Sequence, residues 1–276
     1  MDWYRAKTIL IAFLVMTNLV LLYYLVSDGL KSGNSDALVS DSVVELLAQK
    51  NITVDKKLIK DTVAVDSMDA KSLDNCIKDY EEFAKGLLGT EVLKTDSNKF
   101  ANNVATIQYS GDYFEVNKST SAPVYNKEIN RANVISVTKE YLKSAGIELG
   151  GAKERMIEEN GAFSVIFEKQ VDGFCVFDTV IEVKLSKYGI ENLKGIWYNT
   201  KNTAQTRYDI KGISSALIEY MNKNNHGQNI TIKDAKLGYS TLEYNVYHEN
   251  VVLIPVWRIT DTNGVSVNID ARQTKQ

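Results

Sequence analysis

The chain has 276 residues, a formal net charge of −3 at pH 7, two cysteines and two prolines. The mild acidity argues against nucleic-acid binding, because nucleic-acid-binding proteins usually present a basic face to the phosphates. Two cysteines exclude a disulfide-rich scaffold and a cysteine-based metal site, and two prolines exclude a proline-rich linker.

The first predicted element is an apolar helix at residues 8–26, TILIAFLVMTNLVLLYYLV, which carries no charge. A helix of this length spans roughly 28 Å, close to the hydrocarbon thickness of a bilayer, so we predict a transmembrane helix rather than a buried core helix. Arg5 and Lys7 lie directly before it. The positive-inside rule then places residues 1–7 in the cytoplasm and the bulk of the chain outside, as a single-pass protein of the cell membrane.

Removal of this helix as a signal peptide is the alternative interpretation. Ser27 and Gly29 would supply the small residues of a cleavage site. However, the apolar run is longer than the about 7–15 residues that are usual in a signal peptide, which favours an uncleaved anchor. Residues 27–36, which include Gly, Ser and Asn, follow the helix as a polar tether.

Beyond the tether, hydrophobic periodicity predicts both helices and strands. Helices are predicted at 35–49, 70–88, 129–145 and 213–224, and strands at 51–59, 104–116 (a hairpin), 163–170, 174–186, 191–198, 231–237, 241–248, 251–260 and 265–271. From residue 129 onward, a helix followed by an antiparallel meander occurs twice, which is typical of α+β proteins whose helices lie on one face of each sheet. We therefore predict a first α+β unit at 37–122 and a C-terminal region at 123–276 that contains two helix-plus-meander units.

Two turns and one proline are distinctive in the C-terminal region. Asp172-Gly173 and Asn263-Gly264 are residue pairs that favour tight hairpins. Pro255 lies inside a predicted strand, where its missing N–H restricts it to an edge or a bulge. An edge strand could pair with another protein, or the proline could protect that edge, and the pattern leaves both interpretations open.

The sequence offers little for catalysis. Its only histidines, His226 and His248, fall in a polar loop and at a strand end. The nucleophile elbow, the phosphate-binding loop and the metalloprotease helix motif are all missing from the sequence. We therefore expect no enzymatic activity and no cofactor. Cys76 and Cys175 lie on apolar faces of their predicted elements, so they are either buried thiols or a disulfide pair.

Several segments resemble the YycI family of Gram-positive membrane proteins. They are Met1–Ile11 with Asn18–Tyr23, Val171–Asp178, and Pro255–Ile259 with the Asn263-Gly264 turn. The resemblance implies an extracytoplasmic part built of PepSY-like helix-on-sheet units, without catalytic residues. It also implies a regulatory role on the essential cell-wall sensor histidine kinase WalK (also called YycG), with a YycH-like paralogue as a further partner.

A regulatory contact through the membrane helix would depend on its polar residues. Thr17 and Asn18 lie at mid-membrane in the predicted span, where an unpaired amide is costly, so we predict that they contact the partner helix. The alternative is that the Asn18 amide bonds only to its own helix backbone. A different class of function also stays open, namely an extracytoplasmic PepSY-like binding module or an inhibitor of a wall protease.

Overall fold

The computed structural model describes residues 14, 16–18, 20, 40–60, 67–89, 91–118, 129–187, 189–223, 229–243 and 250–273. Helices occur at 40–48 (α1), Lys56–Lys60 (α2), Tyr80–Leu88 (α3), Val134–Ser144 (α4) and Ile213–Lys223 (α5). Strands occur at Ile52–Val54 (β1), Ser67–Asn75 (β2), Leu93–Asp96 (β3), Lys99–Ala101 (β4), Ala105–Ser110 (β5), Tyr113–Lys118 (β6), Lys153–Glu159 (β7), Ala162–Val171 (β8), Phe174–Ser186 (β9), Gly189–Ile196 (β10), Tyr198–Asp209 (β11), Ile230–Glu243 (β12), Asn250–Asp261 (β13) and Ser266–Asp270 (β14).

The chain forms two compact units. The smaller unit combines Met1–Val63, Ile213–Asp234 and Thr260–Val265, and the larger unit combines Ala64–Gly212, Ala235–Ile259 and Ser266–Gln276. In the smaller unit, β1 pairs in parallel with the start of β12, and Ile52 lies opposite Ile230. The apolar face of α5 is buried, as the spacing of its residues predicts: Ile213, Ala216, Leu217, Tyr220 and Met221.

In the larger unit, the strands from β3 to β10 form one antiparallel sheet in the order β7-β8-β9-β10-β6-β5-β4-β3. We call it the helix-covered sheet, because α3 and α4 pack their apolar faces against it. Its strands alternate buried and more exposed residues, so one face supplies the core. The core between helices and sheet includes Phe83, Leu87, Phe114, Val134, Leu142, Phe167 and Val183.

The helix-covered sheet consists of two helix-plus-meander units. α3 is followed by β3 to β6, and α4 is followed by β7 to β10. The last strands of the two meanders pair with each other, with Leu193 of β10 opposite Val116 of β6. The predicted α+β class is therefore confirmed, and α3 provides an additional helix-plus-meander unit. The predicted boundary between residues 122 and 123 lies outside the described residues, and the division of the chain at that point stays a prediction.

A second sheet of the larger unit has the strand order β11-β2-β13-β12, and β14 adds to β13. β12 also pairs in parallel with β9, where Tyr239 lies opposite Val176. A Cβ on Gly238 would lie 2.5 Å from the carbonyl oxygen of Cys175, so only glycine permits this close approach of β12 to β9. The core of the second sheet includes Met68, Leu73, Val176, Tyr198, Tyr239 and Leu253.

Several predicted elements are wrong in part. The strands predicted at 231–237 and 241–248 are a single strand, β12, as far as Glu243. The helix predicted at 70–88 is a strand (β2) in its first part, because apolar residues in a short run fit both the helical and the strand period. α3 begins only after Asp79, whose Oδ1 accepts hydrogen bonds from the backbone N–H groups of Glu81 and Glu82 at 2.8 and 3.1 Å. Likewise, the strand predicted at 51–59 ends early and is followed by α2.

Candidate functional site

Thr17 and Asn18, the residues predicted to contact a partner, lie among the helical residues 14, 16–18 and 20. The Nδ2 of Asn18 donates a hydrogen bond to the Leu14 carbonyl, one turn earlier, at 2.9 Å. The alternative interpretation of Asn18 predicts this bond to its own helix backbone. The Asn18 Oδ1, in contrast, has no partner among the described residues. None of the helices within the described residues is long and apolar enough to cross a bilayer, and most of the predicted span 8–26 lies outside them. The span and its partner contact therefore stay predictions.

Two of the distinctive sequence segments meet in the larger unit, because Arg258 of β13 lies against Asp178 of β9. The Arg258 Nε donates to Asn268 Oδ1 at 2.9 Å, and its Nη2 donates to Asp178 Oδ1 at 3.4 Å. Its Nη1 donates to the Phe177 carbonyl at 3.4 Å, and the guanidinium carbon lies 4.2 Å from the centroid of the Phe177 ring. The side chains of Arg258 and Asp178 are only 28% and 30% exposed. We call Phe177, Asp178, Ser240, Arg258 and Asn268 the Arg258 cluster.

The second oxygen of Asp178 completes this cluster. Its Oδ2 accepts a hydrogen bond from Ser240 Oγ and another from the Thr241 backbone N–H at 3.0 Å. The Nδ2 of Asn268 donates to Ser240 Oγ at 3.1 Å. Burial lowers the pKa of Arg258, and the neighbouring Asp178 carboxylate opposes that shift. The cluster therefore pairs its charges internally and holds β9, β12, β13 and β14 together.

Pro255 lies in β13, an interior strand between β2 and β12, so of the two predicted positions, an edge or a bulge, the edge is wrong. Its carbonyl accepts a hydrogen bond from the Ala271 N–H at 3.0 Å. Pro255 cannot donate in return, and the Ala271 carbonyl instead accepts from the Lys211 N–H at 2.8 Å. The indole Nε1 of Trp257 donates to the Lys211 carbonyl at 2.8 Å. Because Pro255 cannot donate to it, the Ala271 carbonyl accepts from Lys211 instead. The backbone N–H and the carbonyl of Lys211 are therefore both hydrogen-bonded.

Two open grooves flank the end of α4 in the larger unit. The α3 groove, of about 480 Å³, has Cys76, Lys78, Asp79, Glu82, Lys85 and Ser144 among its lining residues. The α4 groove, of about 460 Å³, is lined by Lys139, Lys143, Gly146, Ile147, Glu148 and Leu149. The backbone of α3 at Gly86 packs closely against the end of α4. A Cβ on Gly86 would lie only 3.0 Å from the Cα of Ala145.

Three titratable side chains near this layer have shifted pKa values because they are buried. Burial lowers the pKa of Lys169, and it lowers the pKa of Lys118 to about 8. Burial raises the pKa of the Cys76 thiol to about 12, so this thiol is neutral and unreactive near pH 7. Cys76 and Cys175 are both free, half-buried thiols in the structure, so they form no disulfide there.

Sequence reasoning missed both the Arg258 cluster and the buried Lys169. The cluster has no local signal, because Arg258 and Asp178 are 80 positions apart. Lys169 does have a local sequence signal, because it occupies the same set of alternate positions in β8 as the core residues Phe163 and Phe167. A charged residue in the inward phase of a strand is therefore a sequence signal for a buried polar site.

The fold is that of an α+β protein that contains helix-plus-meander units. Comparisons with known proteins identify the family to which the chain belongs. The family model described as "YycI protein" matches residues 32–276. The chain therefore belongs to the YycI family, which confirms the resemblance seen in the sequence. A comparison with curated proteins gives no match.

Three solved structures of bacterial proteins show partial similarity to the chain. An uncharacterised protein from Eubacterium rectale is 12% identical, with a TM-score of 0.48 over 76% of this chain and 85% of that chain. YycH from Bacillus subtilis is 16% identical, with a TM-score of 0.46 over 73% of this chain and 51% of that chain. The C-terminal domain of Bacillus megaterium YpeB is 9% identical, with a TM-score of 0.32 over 70% of this chain and 92% of that chain.

Proposed function

We propose that this protein is a single-pass, membrane-anchored regulator of a WalK (YycG)-type sensor histidine kinase, with its bulk outside the cell. The observation that carries the proposal is the YycI family match over residues 32–276, which begins shortly after the charge-free apolar run 8–26. In this proposal the protein acts by binding rather than by catalysis. A YycH-like paralogue is proposed as a further partner in the same membrane.

The proposed contact with the kinase lies on the membrane helix. Asn18 already donates from Nδ2 to its own backbone, which leaves its Oδ1 as the acceptor for a donor on a neighbouring helix. Polar contacts between membrane helices contribute about 0.6–2 kcal/mol. At about 1.4 kcal/mol per tenfold change in affinity, loss of such a contact would weaken association roughly 3- to 30-fold.

Replacement of Asn18 by leucine tests this contact in the full-length protein. Asn18→Leu should reduce crosslinking to the kinase in membranes and change kinase autophosphorylation, although the protein is still inserted and abundant. Met16→Leu, which changes an exposed apolar residue of the same helix, is the matched control and should leave both readouts unchanged. Unaltered crosslinking and kinase output in Asn18→Leu combined with Thr17→Leu would rule out this contact.

A second experiment, on the protein released from the membrane, distinguishes the alternative function as an extracytoplasmic binding module. If the protein acts as an extracytoplasmic binding module, residues 28–276 released from the membrane should retain full activity. If the membrane helix makes the regulatory contact, the released part should lose its regulatory activity.

The predicted topology is tested by cysteine labelling. A cysteine introduced at Ser35 should react with a membrane-impermeant reagent in intact cells, whereas one introduced at Asp2 should not.

A further inference from the structure

β7 forms one edge of the helix-covered sheet. Among the described strands it pairs only with β8, over all seven of its residues and without a register shift. It contains no proline and no glycine, and only Met156 is partly buried. A regular, exposed edge of this kind presents a row of backbone groups that can pair with a strand of another chain.

The opposite edge of the same sheet lacks this regularity. β3 has only four residues, and its register with β4 shifts between Lys94 and Asp96. Short strands and bulges keep a sheet edge from pairing with other chains. β7 has neither of these protections, so it is the edge of this sheet that is suited to pairing.

The turn after β7 determines which of its backbone groups point away from the sheet. Asn160 and Gly161 form this turn, and their φ angles of 52° and 76° are typical of a type I′ hairpin. The flanking residues Glu159 and Ala162 are then a hydrogen-bonded pair, and bonded and non-bonded pairs alternate along the ladder. The residues whose N–H and carbonyl groups point away from β8 are therefore Glu154, Met156 and Glu158. Within the described part of the chain, these groups have no backbone partner outside the sheet.

These groups fix how β7 would pair with the β7 of a second copy. In an antiparallel pair, the outward-pointing residues of one strand lie opposite those of the other strand. The register that pairs all of Lys153–Glu159 places the two copies of Met156 opposite each other, at a twofold axis. The remaining opposite pairs are then Glu154 with Glu158, Arg155 with Ile157, and Lys153 with Glu159.

The charges on the face of β7 away from the helices complement one another in this register. Lys153 and Glu159 are both exposed, and each would lie opposite the oppositely charged residue of the other copy. Opposite charges directly across an antiparallel pair stabilise it, whereas like charges destabilise it. Arg155 would lie opposite the exposed Ile157, which the aliphatic part of the arginine side chain can cover.

The like-charged pair on the other face, Glu154 with Glu158, is compensated within each copy. This is the core face, since Glu154 lies opposite the buried Phe167 of β8. The Lys139 Nζ lies 2.6 Å from Glu154 Oε2, and the Arg131 Nη1 lies 3.8 Å from Glu158 Oε2. Inward-pointing charges can keep an edge from pairing, but here each carboxylate has a cation of its own chain beside it.

We propose that β7 binds the β7 of a second copy of this protein in this antiparallel register, so that the two helix-covered sheets continue into each other. The twofold axis is perpendicular to the sheet, which keeps the helices of both copies on the same face. One pair of seven-residue strands is a small interface, which is typical of a weak or transient association. This interface goes beyond the proposed kinase regulation and does not depend on it.

Disulfide trapping of the full-length protein in detergent tests the register. Arg155→Cys mixed with a differently tagged Ile157→Cys should give a mixed dimer, because the Cα atoms of a non-hydrogen-bonded pair lie only about 4.5 Å apart. Arg155→Cys mixed with Glu159→Cys is the matched control. Both of its residues are exposed and share one face, but the register places their Cα atoms more than about 7 Å apart. The yield of the control mixture should be at least tenfold lower, and the native protein, which keeps Cys76 and Cys175, gives the background.

An exchange of charges tests the opposite pairs without introduced cysteines. Lys153→Glu and Glu159→Lys each place like charges opposite each other, so each variant alone should weaken self-association at least threefold in sedimentation experiments. The double variant restores opposite charges across the twofold axis and should recover the native association. A mixture of the two single variants should recover it as well.

Three results would each overturn the proposal. They are failure to trap the mixture of Arg155→Cys with Ile157→Cys, equal trapping of the control mixture, and a double charge variant that associates no better than the single variants. In cells, an Ile157→Cys protein that is trapped by another protein and never by a second copy with Arg155→Cys would show that this edge has a different occupant.

Discussion

Two polar clusters in the larger unit are built from the same kinds of side chain. The Arg258 cluster combines a cation, the hydroxyl of Ser240 and the ring of Phe177, which lies 4.2 Å from the guanidinium. The helix-covered sheet has the Lys169 ammonium at 5.3 Å from the Trp197 ring and, on the neighbouring strand, the buried hydroxyl of Thr179. In each case the aromatic face contributes only a modest part of what a desolvated cation requires.

The difference between the clusters lies in their acceptors. Asp178 accepts from Arg258 and from Ser240, and Asn268 accepts from Arg258, so the first cluster is complete. In the helix-covered sheet, Lys169 has no hydrogen bond or ion pair to the described residues, and the Thr179 Oγ1 has no hydrogen-bond partner there. Polar groups that satisfy one another stabilise the fold, whereas buried polar groups without partners reduce its stability. Substitutions in the two clusters should therefore have opposite effects on the free energy of unfolding.

Removal of the guanidinium is expected to have the largest effect. Arg258→Met should lower the free energy of unfolding by about 2–4 kcal/mol, because it leaves the Asp178 carboxylate half-buried without its cation. Urea denaturation of the full-length protein in detergent measures this change. Lys85→Met breaks an exposed ion pair and serves as the control, with little change expected in the free energy of unfolding. A similar loss in both variants would show that the Arg258 cluster contributes no more than a surface pair.

Replacement of the lysine should act in the opposite direction. Lys169→Met should raise the free energy of unfolding by about 1–3 kcal/mol at pH 7, because it removes a desolvated ammonium and fills the same volume. The pKa of Lys169 is lowered in the folded state from its usual 10.5. Above that lowered pKa the folded protein binds fewer protons than the unfolded chain, so its stability rises with pH up to about 10.5.

The advantage of Lys169→Met over the native protein should therefore shrink as the pH rises toward about 10.5. Measuring both proteins across this range cancels the titration of the other groups. A difference that stays constant with pH would mean that Lys169 titrates normally. A destabilised Lys169→Met variant would mean that the ammonium has an acceptor in the folded protein, and the contrast with Arg258 would fail.

The sequence predicts the α+β class and the main hairpins because these depend on local signals. The Asp172-Gly173 turn is one example, and both residues have the positive φ angles, 52° and 83°, that such a turn requires. The helix predicted at 70–88 shows the limit, because periodicity alone did not separate β2 from α3. Asp79 was the available signal, since an aspartate before a helix caps its first N–H groups.

Neither polar cluster could be assembled from the sequence, because its members come together only through the topology. Asp178 and Ser240 are 62 positions apart, and their contact requires β9 to leave the helix-covered sheet and meet β12. The bulge opposite Lys169 is likewise invisible in the sequence, because register shifts depend on the partner strand. Only the phase of Lys169 within β8 could be identified from the sequence.

The hydroxyls of Ser240 and Thr179 test the comparison with the smallest expected changes in the free energy of unfolding. Ser240→Ala should lower the free energy of unfolding by about 1–2 kcal/mol, because Ser240 both donates to Asp178 and accepts from Asn268. Thr179→Val keeps the shape and the β-branched side chain but removes an unpaired buried hydroxyl, so it should be neutral or stabilising by about 1 kcal/mol. Urea midpoints at constant m-value measure both changes.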